Sequence, residues 1–134
     1  MALPEPSMDE WLREAKASAH ADQCGMFLAH NGVVRATPKR QVREGVQGLG
    51  QVVAVDFSYD AEGLQKAIDE ALTWDGIYYV RVWLNEGRCA VGDSLMYVLV
   101  GGDIRPRCID ALQKLVGTIK NELVVEKEVY AEER

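Results

Sequence analysis

Cysteine is scarce in this 134-residue chain and never closely paired: Cys24, Cys89 and Cys108 form no CxxC motif. An odd, scattered set argues against a disulfide framework, and with His20 and His30 the only histidines, a zinc site has little to draw on. Basic charge is also in deficit. A net charge of −6 argues against general nucleic-acid binding. Long apolar runs are missing: the stretch over residues 91–102 is interrupted by Asp93 and too short to span a bilayer. Residues 1–9 hold two prolines and two acids where a signal peptide would have a basic start and an apolar core, so the cytoplasm is the expected compartment.

What is present reads as one globular domain over residues 1–134, with 48% hydrophobic residues to build a core. Ser7 and Glu10 have capping-box spacing, and Met8, Trp11, Leu12 and Ala15 form a stripe, which predicts an N-terminal helix within residues 1–20. Residues 24–35 read as extended, with Asn31-Gly32 as a turn or bulge signal, and residues 36–50 as a polar loop. Residues 51–58 predict a strand with Val53, Val55 and Phe57 on one face. Asp60 caps a helix striped by Leu64, Ala67, Ile68, Ala71 and Leu72 and ending near Trp74. Strands follow at 77–84 and 94–100, separated by the turn signals Asn85-Glu86-Gly87 and Gly92-Asp93. A helix over 105–122, with Pro106 in its first turn and Ile109, Leu112, Leu115, Val116 and Ile119 as its stripe, leads to a last strand over 123–130. Strands joined through short turns pair antiparallel, so the fold class is α+β, a mostly antiparallel sheet with about three helices.

Two features point toward chemistry. Arg35, Lys39, Arg40 and Arg43 lie within nine residues that contain no acid, a basic loop suited to a small anionic ligand or an acidic partner, or simply to solvent. Lys120 closes the last helix and Lys127 lies in the strand beyond it. Alternation puts Lys127 on a face with Leu123, Val125 and Val129, opposite Glu126 and Glu128. An ammonium among aliphatic groups is either an edge-strand lysine snorkelling to water or a working lysine.

These segments resemble the MoaE family, the large catalytic subunit of molybdopterin synthase. The run Gly25-Met26-Phe27-Leu28-Ala29-His30-Asn31-Gly32-Val33-Val34-Arg35 is similar to that family's glycine-led strand ending in Gly-x-Val-Arg. Residues 64–71 are similar to its first long helix, and Gly92-Asp93, Arg105, Lys120 and Lys127 fall in its order and spacing. The resemblance implies an α/β-hammerhead fold. It implies sulfur transfer from the C-terminal thiocarboxylate of a small β-grasp carrier ending in Gly-Gly to cyclic pyranopterin monophosphate, which forms the dithiolene of molybdopterin. It implies a homodimer of this chain, a heterotetramer with the carrier, and a pterin pocket drawing on both protomers. No nucleic acid, membrane, metal or permanently bound cofactor is implied; the pterin is substrate, and the carrier delivers the sulfur. Lys120 and Lys127 match the family's active-site lysines, and Arg35 and Arg105 its arginines, suited to capture of a cyclic phosphate. Ile104 stands where the family usually has a histidine, and His30 is the candidate to replace it at the substrate. The proline and aromatic residues common between the two lysines are absent from residues 121–126. Two other readings stay open: a divergent paralogue that binds carrier or pterin without turnover, and an unrelated α+β ligand-sensing module.

Overall fold

The computed structural model describes residues 3–45 and 50–131, and of Arg40 only the backbone. Helix α1 (Met8–Lys16) starts where the Ser7 hydroxyl accepts from the Glu10 amide at 3.3 Å. It buries Trp11 and Ala15. The next apolar positions break helical spacing, and the helix stops short of residue 20, giving way to a 3-10 turn at Ala21–Gln23. Strand β1 (Met26–Val33) follows, then helix α2 (Lys39–Glu44), strand β2 (Val52–Tyr59) and helix α3 (Ala61–Ala71). Asp60 caps α3 by accepting from the Gly63 amide at 3.0 Å. Strands β3 (Ile77–Leu84), β4 (Gly87–Ala90) and β5 (Ser94–Gly102) lead to helix α4 (Arg105–Thr118), a π-helical turn at Ile119–Leu123 and strand β6 (Val124–Tyr130).

The strands form two antiparallel sheets, ordered β1-β5-β3 and β4-β2-β6. β5 is the spine of the first: every residue of it except Tyr97 is buried. Trp11 and Ala15 of α1 cover one side, packing on Leu99 and Trp83. Met96, Val98 and Val100 face the main core, where Ala111, Leu115 and Ile119 of the α4 region meet Val55 and Phe57 of the second sheet. Such burial on both faces explains why residues 94–102 read as a nearly continuous apolar run rather than an alternating one. At the end of β5 the packing leaves no room for a side chain: a Cβ on Gly102 would sit 2.7 Å from the Cys108 sulfur and 2.7 Å from the Gly76 carbonyl.

The α+β class and the antiparallel pairing are as the sequence predicts. Several local expectations are corrected. Part of the stretch read as a loop, residues 39–44, is the short helix α2; residues 46–49 of that stretch lie outside the described ones. The last α-helix ends at Thr118, not Glu122, and Ile109 of its predicted stripe is 41% exposed, Cys108 and Ala111 being buried instead. In β2 the register shifts between Val52 and Ala54, a bulge that leaves Val53 45% exposed while Val55 and Phe57 stay inside.

Alternation in β6 leaves open which face is inward, and strand pairing decides it. Glu128 pairs with Val55 and Glu126 with Phe57, and directly opposed residues share a face of the sheet. Val55 and Phe57 are core residues, so the two carboxylates are carried inward with them. Lys127, paired with Asp56, points outward beside the exposed Val125.

Candidate functional site

The π turn sets the position of Lys120. Ile119 is fully buried, the Val124 amide bonds back to the Ile119 carbonyl, and the Asp60 amide donates to the Leu123 carbonyl at 2.9 Å. The turn is thus pinned at both ends, with Lys120 between them, half-buried, lining a cleft beneath the end of β1. Val34, Val55 and Leu95 make the apolar wall of that cleft, and Arg35, Lys39, Glu126 and Glu128 supply its charge. Its volume is about 40 Å³.

β1 delivers Arg35 to the rim. The Val34 amide donates to the Asp93 carbonyl at 3.0 Å and the Gly92 amide to the Val34 carbonyl at 2.8 Å, extending the strand's pairing into the turn before β5. Arg35 itself is exposed, and its Nε donates to the Thr37 carbonyl at 3.2 Å. The Val52 amide then donates to the Ala36 carbonyl at 2.8 Å, which returns the chain to β2 and leaves α2 beside the cleft. Lys39 and Arg43 are four residues apart on α2 and so share a face. Lys39 Nζ forms an ion pair with Glu126, whose side chain is only 8% exposed. The Lys39 amide also donates to Glu128 Oε2 at 2.9 Å, and Glu128 Oε1 accepts from the Tyr130 hydroxyl at 3.0 Å.

Burial and crowding of like charge shape the titration of this cluster. Burial lowers the pKa of Lys120, and the nearby Arg43 and Arg35 guanidinium groups lower it further. Lys39 is lowered by burial, then by Lys120, Arg43 and Arg35, against an opposing pull from Glu128. His30 stands on β1 opposite Val98, facing α4, and its Nε2 is buried without a hydrogen-bond partner. Burial, with Lys120 as the second cause, lowers its pKa and holds the ring neutral at neutral pH.

Of the residues singled out in the sequence, the structure brings Lys120, Arg35 and His30 into one neighbourhood. It does not bring Lys127 there. That lysine is exposed on the outer face of β6, across from Asp56, whose carboxyl is held below its usual value first by a hydrogen bond from Arg88 and in small part by Lys127. Arg105 begins α4 and is exposed, as is Ile104 before it; fifteen residues of helical rise put Arg105 about 20 Å from Lys120. Lys39, of the basic loop picked out in the sequence, joins the site too, and Glu126 and Glu128 join it unannounced. The absence of acids around Lys39 was visible in sequence, but its two carboxylate partners lie more than eighty residues away. Larger hollows flank Trp74, of about 280 and 540 Å³, yet they are open, with Lys114 over the indole at 5.4 Å and Arg107 bonded to Asp103 at 2.6 Å. Among the described residues no three His, Cys, Asp or Glu side chains converge as a metal site, and no helix is long and apolar enough to cross a membrane.

A two-sheet α+β domain with a lysine-centred cationic cleft defines the class of protein. The MoaE protein family model matches residues 7–122, and the chain belongs to that family. Its fold is similar to that of the molybdopterin synthase of Staphylococcus aureus, with a TM-score of 0.73 at 17% identity, covering 96% of this chain and 89% of that one. It is also similar to the MoaE molybdopterin biosynthesis protein of Burkholderia ambifaria MC40-6, with a TM-score of 0.70, 17% identity and 97% and 86% coverage. A third neighbour is the complex of subunits 1 and 2 of the molybdopterin-converting factor of Helicobacter pylori 26695, with a TM-score of 0.63, 19% identity and 99% and 87% coverage. No curated protein sequence matches the chain.

Proposed function

We propose that this chain acts in molybdenum cofactor biosynthesis as the catalytic subunit of a molybdopterin synthase. It moves sulfur from the C-terminal thiocarboxylate of a small β-grasp carrier ending in Gly-Gly to cyclic pyranopterin monophosphate. The observation that carries this reading is the setting of Lys120, half-buried in the cleft with Arg35 and Arg43 nearby, at the position that the resemblance matches to an active-site lysine. Burial makes this lysine exchange its proton more readily than an exposed one. As an ammonium it stabilises negative charge developing as the thiocarboxylate sulfur bonds to the pterin and as water then cleaves the resulting thioester, leaving sulfur on the pterin and a carboxylate on the carrier. Arg35 offers a guanidinium at the rim for the cyclic phosphate, and His30 a neutral imidazole behind it. No protein thiol and no resident cofactor or metal enters the scheme, because the carrier brings the sulfur.

One chain holds only part of the machinery. Arg105 sits at the far end of α4 from Lys120, and a homodimer, with a carrier on each subunit, is the assembly in which a second copy supplies it. The two-subunit neighbour from Helicobacter pylori supports a small partner of this kind. Lys127 joins the chemistry only where an assembly covers the outer face of β6. That exposed lysine and the exposed Ile104 favour a second reading, a cytoplasmic paralogue that binds carrier or pterin without turnover.

A single-turnover assay separates the two. Purified protein is mixed with thiocarboxylated carrier and cyclic pyranopterin monophosphate, and molybdopterin is followed as a fluorescent derivative. Product that disappears in Lys120→Ala, with dimer and carrier binding intact, is the expected result. Full activity in that variant would end the role given to Lys120. Carrier binding without product in the wild type would establish the second reading.

A further inference from the structure

The charge of the cleft beside Lys120 is already partly balanced from within. Its cations are Arg35, Lys39 and Lys120, and two carboxylates face them, Glu126 with a side chain only 8% exposed and Glu128 at the rim. Glu126 holds the Lys39 ammonium, and Glu128 accepts the Lys39 amide at 2.9 Å while the Tyr130 hydroxyl steadies its other oxygen at 3.0 Å. These contacts fasten more than one side chain. No described side chain of α2 is buried, and Val42 is 55% exposed, so the helix has little apolar anchorage of its own. Its attachment to β6 runs through Lys39. The cleft that remains is narrow, about 40 Å³, and the Lys39–Glu126 pair lines it. An anion that takes Lys39 together with Lys120 has to compete with Glu126 for the Lys39 ammonium.

We propose that Glu126 and Glu128 are resident counter-anions that keep Lys39 and α2 latched over Lys120 until an anionic ligand takes their place. This rests on reading the cleft as the substrate's phosphate site. The carboxylates prevent Lys39, Lys120 and Arg35 from repelling one another in the free protein, and they make anion binding an exchange rather than a simple addition. Selectivity follows from that exchange: a ligand must bring negative charge of its own to compete with the two carboxylates, which a neutral ligand cannot do.

The probe is inorganic phosphate with the full chain, read by calorimetry and by acylation of lysines with acetic anhydride mapped by mass spectrometry. Glu126→Gln is expected to bind phosphate about fivefold tighter, the scale of one half-screened charge pair. Lys39 in that variant is expected to acylate faster than in the wild type when phosphate is absent. Combining Glu126→Gln with Lys39→Gln is expected to erase the gain. Should Glu126→Gln not fold, Glu128→Gln makes the same test with a smaller gain. Unchanged or weaker phosphate binding in the glutamine variant, or equal Lys39 reactivity, would overturn the latch. The assigned function fails separately: sulfur transfer surviving Lys120→Ala would end that assignment and leave a latch demonstrated with phosphate standing.

Discussion

Lys120 and Lys127 lie seven residues apart, and the region around each follows a different physical logic. Lys120 is held by a π turn whose neighbour Ile119 is wholly buried, and its ammonium is crowded by Arg43 and Arg35. Lys127 rides on a strand, opposite Asp56 on the outer face, where water and the nearby Asp56–Arg88 pair surround it. Burial and like charge make the first lysine's protonation negotiable, whereas the second stands exposed on the outer face of its strand. Residue type and spacing treat the two alike; environment separates them.

That contrast can be broken or sharpened by measurement. The largest effect is expected in turnover: Lys120→Ala should cost at least about 10²–10³-fold in single-turnover sulfur transfer, the scale of a lost charge-stabilising group. Next comes the platform. Ile119→Ala should lower unfolding free energy by about 2–5 kcal/mol in denaturant titrations, because it empties a fully buried position under the π turn. An effect below about 1 kcal/mol would show that the turn is held by its backbone bonds alone. Arg35→Ala should weaken pterin binding by about 1.5–3 kcal/mol for one lost charge-assisted bond, and unchanged affinity would remove it from the phosphate site.

A subtler effect concerns pH. The pKa of Lys120 is lowered on folding from an ordinary value of 10.5, so between the two values the unfolded chain binds more protons and stability climbs as pH rises. At neutral pH the charged lysine is therefore a burden, and Lys120→Gln should raise the melting temperature. The gain should shrink as pH approaches the ordinary lysine value; a gain independent of pH would point to packing rather than charge. The smallest effect is expected from Lys127→Ala, which should leave thermal stability nearly unchanged and reduce turnover less than Lys120→Ala does. Inactivation as complete as that of Lys120→Ala would put the outer face of β6 inside the assembled site.

Much of this architecture is legible in the sequence, for identifiable reasons. Capped, striped helices such as α3 announce themselves because Asp60 and the Leu64–Ala67–Ala71 spacing act within one turn of each other. The Gly92-Asp93 turn does the same for the start of β5. What stays hidden depends on partners distant in the chain. Alternation in β6 separates two faces but does not say which is inward; pairing with Val55 and Phe57 decides that. Helix α2 carries no apolar stripe, and its contacts are with carboxylates on β6. Lys120, Arg35 and Lys39 could be picked out by pattern, whereas Glu126 and Glu128 could not, since an ion pair across the fold leaves no local trace.

The π turn has a consequence for comparing relatives. Each residue added to or removed from a helix turns everything beyond it by about 100°. A relative one residue shorter between Ile119 and Leu123 could keep a lysine in the same column of an alignment and yet present it to the core or to open water. Matching such chains by counting from the buried Ile119 and from the Asp60–Leu123 bond would follow the geometry; counting letters between lysines would not.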